Sequence, residues 1–94
     1  MNREYSAEII KKLLLWGVEE FYVCAGARDI PLIETVCQIK SDKKIVFNHF
    51  EERSAAFYAL GRIKNLKKPV AVITTSGTAV AELLPATMEA YYSI

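Results

Sequence analysis

The chain has 94 residues, a formal net charge of +1 and a hydrophobic fraction of 52%, which is enough for one small domain with a modest core. The near-neutral charge removes the electrostatic case for nucleic acid or an anionic membrane as partner, and Cys24 and Cys37 are too few and too far apart for a disulfide scaffold or a zinc cluster. The N-terminal "MNREYSAEII" lacks the apolar core of a signal peptide and no apolar run is long enough to span a bilayer, so a cytoplasmic protein with reduced, largely buried thiols is expected.

The pattern predicts a helix over residues 5–16. Ile9, Ile10, Leu13, Leu14 and Trp16 form its apolar stripe, Lys11 and Lys12 face away, and Gly17 suits its C-terminal cap. "FYVCA", residues 21–25, reads as a buried strand ended by Gly26. Asp29 is expected to cap a helix that has Pro31 in its first turn and runs to about Ile39. "SDK", residues 41–43, is a polar turn, and "KIVF", residues 44–47, is a second strand. A second long helix follows over residues 51–65, with Ala55, Phe57, Leu60 and Ile63 among its apolar positions. "VAVITT", residues 70–75, is a third strand, apolar on both faces. A third long helix should open at Ser76 or Gly77, with Pro85 kinking it or marking its start.

Apolar strands alternating with helices imply an α/β fold, a parallel sheet flanked by helices, in a single domain over residues 1–94. Three strands leave exposed sheet edges, which suggests part of a larger domain. In such sheets ligands bind beyond the carboxyl ends of the strands. "AGARD", "NHFEER" and "TSGTA" meet that condition. The single glycine of "AGARD" excludes a dinucleotide fingerprint and a phosphate-binding P-loop. "TSGTA" is an anion-accepting helix start or simply a capped turn. Arg28 is a carboxylate clamp or an exposed loop residue. His49 has no second His or Cys at ligand spacing, so no metal site is expected. Glu51 and Glu52 favour a helix dipole. Being adjacent, they point in different directions, so one can face inward, partly desolvated, and hold or share a proton.

Taken together and in order, these segments resemble the N-terminal pyrimidine-binding domain of thiamine-diphosphate-dependent enzymes, over nearly the whole chain. "GVEEFYVCAGARDIPL" is similar to the family's first strand and loop, "HFEERSAAFYALGRIK" to its glutamate segment, and "KKPVAVITTSGTAVAELLPATMEAYYS" to its third strand and threonine–serine–glycine turn. The segments are most similar to the menaquinone-pathway branch, which joins decarboxylated 2-oxoglutarate to isochorismate. Thr-Ser-Gly-Thr-Ala, in place of Thr-Ser-Gly-Pro-Gly, favours that branch over acetolactate-synthase or 2-oxo-acid-decarboxylase relatives. A non-catalytic α/β interaction module is the further alternative.

The resemblance implies thiamine diphosphate as cofactor. Glu52 matches the catalytic glutamate that hydrogen-bonds N1′ of the aminopyrimidine and promotes loss of the thiazolium C2 proton. Gly26, Thr75, Ser76 and Gly77 would approach the cofactor with Glu52. Arg28, Ala27 and His49 would bind substrate, and Phe50 would help His49 to shape the pocket. Glu51 would face elsewhere. The implied partners are a 2-oxo acid, its acceptor, a second subunit, and the domain that holds Mg²⁺ and the diphosphate through a Gly-Asp-Gly motif absent from this chain. The 94 residues alone are therefore expected to be inactive. Ala25 replaces the branch's proline, Ala27 and Asp29 replace two serines, Glu51 an aspartate and Glu82 an asparagine. Asp29 adds a negative charge beside Arg28.

Overall fold

The computed structural model describes residues 3–26, 28–38 and 44–93. In chain order the elements are α1 (Arg3–Leu15), β1 (Glu20–Val23), α2 (Ile30–Gln38), β2 (Ile45–Asn48), α3 (Glu52–Leu66), β3 (Ala71–Ile73), α4 (Thr78–Ala81) and α5 (Leu84–Tyr92). The strands form one parallel sheet in the order β2-β1-β3. The expected alternation and sheet type are therefore present. The turn over residues 41–43 lies outside the described residues, and no described helix is long and apolar enough to cross a membrane.

Strand side chains alternate between faces, and the two faces of this sheet hold different chemistry. Phe21 and Val23 of β1, with Val46, Ala71 and Ile73, meet Ile10, Leu13 and Leu14 of α1 and Leu32, Ile33 and Val36 of α2. That side is an aliphatic core. Glu20 and Tyr22 point to the other face, where α3 packs and α5 lies beside it.

α1 ends where Gly17 adopts φ 99°, the left-handed region that favours glycine. The Gly17 amide donates to the Leu14 carbonyl and the Val18 amide to Leu13, the paired bonds of a Schellman cap. The chain has thus left the helix before Trp16 can join the stripe, and Trp16 is 69% exposed. Cys37, expected to be buried, is exposed near the end of α2, whereas Cys24 is buried.

α3 also differs from the expected pattern. Its buried residues are Ala55, Ala56 and Ala59, while Phe57 is exposed. Small side chains let the helix lie close to β1, and the larger apolar residues fall to its flanks. The expected third long helix is two helices. Gly77 opens α4, and Pro85 stands in the first turn of α5, where its missing N–H has no intrahelical partner to lose.

α3 and β1 are joined by a charge pair. The Glu20 carboxylate is 4% exposed and accepts from Arg62 Nε at 3.0 Å and Nη2 at 2.7 Å. The Tyr22 hydroxyl donates to Glu20 Oε1 as well. The Arg62 bonds hold the Glu20 carboxyl below its ordinary range, against the opposing push of burial, and the Tyr22 bond helps. Burial and then Glu20 raise the Tyr22 phenol.

Because Glu20 is lowered in the fold, its contribution is fully present above the ordinary value of 4.5 and is lost as pH falls through the folded value. In urea titrations followed by circular dichroism, the wild type should lose more stability between pH 5 and pH 3 than Glu20→Gln does. At pH 7 the variant should be the less stable of the two. Parallel losses in the two proteins would exclude Glu20 as the acid-sensitive group.

Candidate functional site

The three strands end in register. Val23 pairs with Asn48 on one side and with Ile73 on the other. The ladder continues for one more bond on each side, from the Cys24 amide to the Ile73 carbonyl and from the His49 amide to Val23, both at 2.9 Å. The three following loops consequently leave from one edge of the sheet, where neighbouring strands lie about 5 Å apart.

In the first loop the Gly26 amide donates to Asp29 Oδ1 at 2.8 Å. Asp29 therefore turns back onto its own loop, and its side chain does not cap α2 as expected. Its main-chain carbonyl accepts the Ile33 amide at 3.0 Å instead. Asp29 is 1% exposed, and its Oδ2 has no hydrogen-bond partner. Arg28 is exposed, with no hydrogen bond or ion pair to a described residue. Ala27 lies outside the described residues.

In the second loop His49 is half-buried and Phe50 is fully exposed. The His49 ring meets Tyr22 edge-on, with centroids 5.4 Å apart, and Tyr58 of α3 at 5.6 Å. Glu51 has extended backbone and caps α3. Its carboxylate accepts from the amides of Arg53 and Ser54, at 2.5 and 3.1 Å, and from the Ser54 hydroxyl at 3.0 Å. The Arg53 amide does most to hold the Glu51 carboxyl low, and Ser54 adds to it. Glu52, the next residue, opens the helix. It is half-buried, and its carboxylate has no hydrogen bond or ion pair to a described residue. Burial pushes the Cys24 thiol up, and the negative charges of Glu52, Asp29 and Glu51 push it further, in that order. These carboxylates thus gather around the end of β1 and keep Cys24 a protonated thiol, which is no nucleophile.

In the third loop Thr75 is half-buried, while Ser76 and Gly77 are exposed. Gly77 adopts φ 79° and ψ −135° as it opens α4, a conformation suited to glycine. Thr75 packs on Gly26, since a Cβ placed on Gly26 would lie 2.5 Å from Thr75 Cβ. Glu82 meets Arg53 at 3.4 Å, an exposed pair that links α3 to the α4–α5 junction only weakly.

The edge therefore joins Gly26 to Thr75, and it places Glu52 within electrostatic reach of Cys24. Arg28 and Ser76 lie on the same edge without bonding Glu52. The sequence reading missed the cap formed by Glu51 and the rings that hold His49. The first had a signal in the Glu51-x-x-Ser54 spacing, a capping arrangement with the residue types reversed. An apolar groove of about 190 Å³ runs between α3, β3 and α5, lined by Ala56, Ala59, Ile63, Val72 and Ala86 among others. It lies along the helix flank, away from these loops.

Comparison with known families matches residues 3–93 to the domain described as "Thiamine pyrophosphate enzyme, N-terminal TPP binding domain". Similar curated relatives carry the name 2-succinyl-5-enolpyruvyl-6-hydroxy-3-cyclohexene-1-carboxylate synthase. That of Bdellovibrio bacteriovorus is 54% identical over 92 residues, covering 98% of this chain and 17% of the relative. That of Akkermansia muciniphila is 51% identical over 90 residues, covering 92% of this chain and 16% of the relative. That of Halobacterium salinarum is 48% identical over 89 residues, covering 95% and 15%. The chain spans about one sixth of the length of these relatives.

Gly26 has a steric duty whatever the edge binds. Gly26→Ala should destabilise the fold by about 1–3 kcal/mol, the usual range for overpacking. The double variant Gly26→Ala/Thr75→Gly should recover much of that loss in chemical denaturation, because the clash is with the Thr75 side chain. No recovery would place the strain elsewhere in the loop.

Proposed function

The chain belongs to the N-terminal TPP-binding-domain family of thiamine pyrophosphate enzymes, and on that premise we propose that it is the pyrimidine-binding part of a transferase. The proposed enzyme decarboxylates a 2-oxo acid and forms a C–C bond in menaquinone biosynthesis, the reaction that the resemblance of its three loop segments implies. The observation that carries the reading is the contrast between Glu51 and Glu52. Glu51 is committed to the helix cap, whereas Glu52 presents a half-buried carboxylate with no described partner at the strand-end edge.

That free carboxylate fits an aminopyrimidine. It would hydrogen-bond N1′ and move a proton at that nitrogen. The cofactor, when bound, supplies an electron sink for loss of carbon dioxide from the 2-oxo acid. Gly26, Thr75, Ser76 and Gly77 would form the polypeptide wall on the pyrimidine side. Thr75 is already seated against Gly26, and Gly77 leaves open space where another residue would carry a Cβ. Arg28, exposed and uncommitted, would take a substrate carboxylate. His49 would flank the substrate, and Ala27 is proposed as a further substrate-binding residue. Diphosphate and Mg²⁺ would be held by a separate domain, with the site completed by a second subunit in a homo-oligomer. By the same reading the 94 residues alone are inactive.

The test uses the enzyme in which this domain is joined to its diphosphate-binding domain. Glu52→Gln keeps size and one accepting oxygen but removes the titratable proton. Proton–deuterium exchange at thiazolium C2, read by NMR after acid quench, should slow by at least about a hundredfold. Affinity for the cofactor should change far less. Glu51→Gln should leave exchange nearly unaltered while lowering thermal stability, because one accepting oxygen of the cap becomes an amide nitrogen. Equal exchange in wild type and Glu52→Gln would remove Glu52 from the mechanism.

A further inference from the structure

Tyr22 is wholly buried, and it contacts side chains of β1, β2, α3 and the loop after β2. Its hydroxyl donates to Glu20, whose carboxylate is gripped by Arg62 of α3. Its ring stacks on Phe47 of β2, with centroids 5.1 Å apart and planes at 8°. The same ring meets His49 edge-on at 5.4 Å and tilts against Tyr58 of α3 at 5.5 Å. Tyr58 and His49 are themselves 5.6 Å apart. The three rings therefore close a triangle, and one corner is the first residue of the segment His49-Phe50-Glu51-Glu52.

We propose that Tyr22 is a positioning residue. Its ring, anchored through its hydroxyl to the Glu20–Arg62 pair, fixes the His49 ring and so fixes the turn that presents Glu52 at the strand-end edge. Three features favour this over simple core filling. The aliphatic core lies on the opposite face of the sheet, so Tyr22 is not needed there. A leucine would fill volume on the α3 face but would offer neither the hydroxyl nor the planar edge. Aromatic pairs of this geometry also favour one relative orientation beyond the area they bury. The consequence for cofactor chemistry rests on the role proposed above for Glu52. The fixing of His49 does not.

His49 is the only histidine of the chain, so its imidazole protons are unique in the NMR spectrum of these 94 residues. In the wild type they should show ring-current shifts and nuclear Overhauser contacts to both tyrosine rings. Tyr22→Phe keeps the ring but removes the anchor to Glu20, so it should move the shifts less than Tyr22→Leu does but measurably. Tyr22→Leu should move them toward free-histidine positions. It should also speed hydrogen exchange at the Arg53 and Ser54 amides by on the order of tenfold, as local opening of the cap becomes easier. Should Tyr22→Leu fail to fold, Tyr58→Ala removes the exposed corner of the triangle and should shift the same protons. Unchanged imidazole signals and cap amides in a folded Tyr22→Leu, or unchanged imidazole signals in Tyr58→Ala, would overturn the proposal.

In the joined enzyme Tyr22→Leu should slow C2 exchange by on the order of tenfold or more, since small misplacements of a catalytic group are expensive. Added to Glu52→Gln, it should slow exchange no further, because both changes act through one carboxylate. Full additivity would assign the Tyr22 effect to general loosening and overturn the positioning role. Wild-type exchange in Glu52→Gln, together with displaced His49 signals in Tyr22→Leu, would defeat the role of Glu52 and leave the fixing of His49 by Tyr22 standing.

Discussion

The arrangement of the α3 face depends on the carboxylate of Glu20. A charge in the central strand with 4% exposure is tolerable only when paired and hydrogen-bonded. Its partner is Arg62, whose fork supplies two bonds. That bond sets the rotation of α3, because the turn carrying Arg62 must face β1. Ala59 and Ala55, three and seven residues back from Arg62, lie on the same face of the helix and both are buried. Their small size lets the helix approach closely. Glu52 lies at the flank of that same stripe, which accounts for its half-buried state. A buried pair of this kind is weak evidence for net stability. Here the pair, with Glu20 buried and Arg62 partly exposed, ties the Arg62 turn of α3 to β1.

Two adjacent glutamates with the same intrinsic chemistry take different roles because they stand on either side of a helix boundary. The first amides of a helix have no intrahelical acceptor. Glu51, still in extended backbone, reaches forward to the amides of Arg53 and Ser54 and is consumed by them. Glu52 has already entered the helix, so its side chain cannot make the same reach. The cap therefore leaves Glu52 as the glutamate of the pair whose carboxylate has no hydrogen bond or ion pair among the described residues. Cys24, at the centre of the same edge, is kept protonated by burial and by the carboxylates around it. The edge consequently carries carboxylates without a competing thiolate.

The sequence made legible what depends on local periodicity. Alternating strands and helices implied the parallel sheet, and the strand ends placed all three loops on one edge. Pro85 was recognised as a possible helix start, and it is one. The departures have nonlocal causes. Phe57 occupies an apolar position of the helical pattern, but the face of α3 turned to the sheet carries Ala55, Ala56 and Ala59, and an ion pair spanning residues 20 and 62 joins that helix to β1. Trp16 continued the stripe of α1 on paper, yet the Gly17 cap had already turned the chain. Gly26 read as a residue allowing close approach of a ligand. The structure adds a protein neighbour, Thr75, whose proximity follows from strand pairing and not from any motif. Nothing in the spacing of Tyr22, His49 and Tyr58 announced a triangle of rings, since it is built from three elements.

The same distinction bears on the charge next to Arg28. In the sequence, Asp29 looks positioned to neutralise its neighbour and so to spoil a carboxylate clamp. In the fold the two side chains occupy different environments. Asp29 is buried with one oxygen on the Gly26 amide, while Arg28 is exposed, and no ion pair joins them. The Asp29 carboxylate is turned onto the Gly26 amide and makes no ion pair with Arg28, so adjacency in the sequence does not make it the partner of that guanidinium. The Asp29–Gly26 bond also closes the first loop on itself and holds Gly26 where Thr75 can rest on it. A residue that seemed to oppose binding thus serves the geometry of the edge, and the guanidinium beside it remains uncommitted.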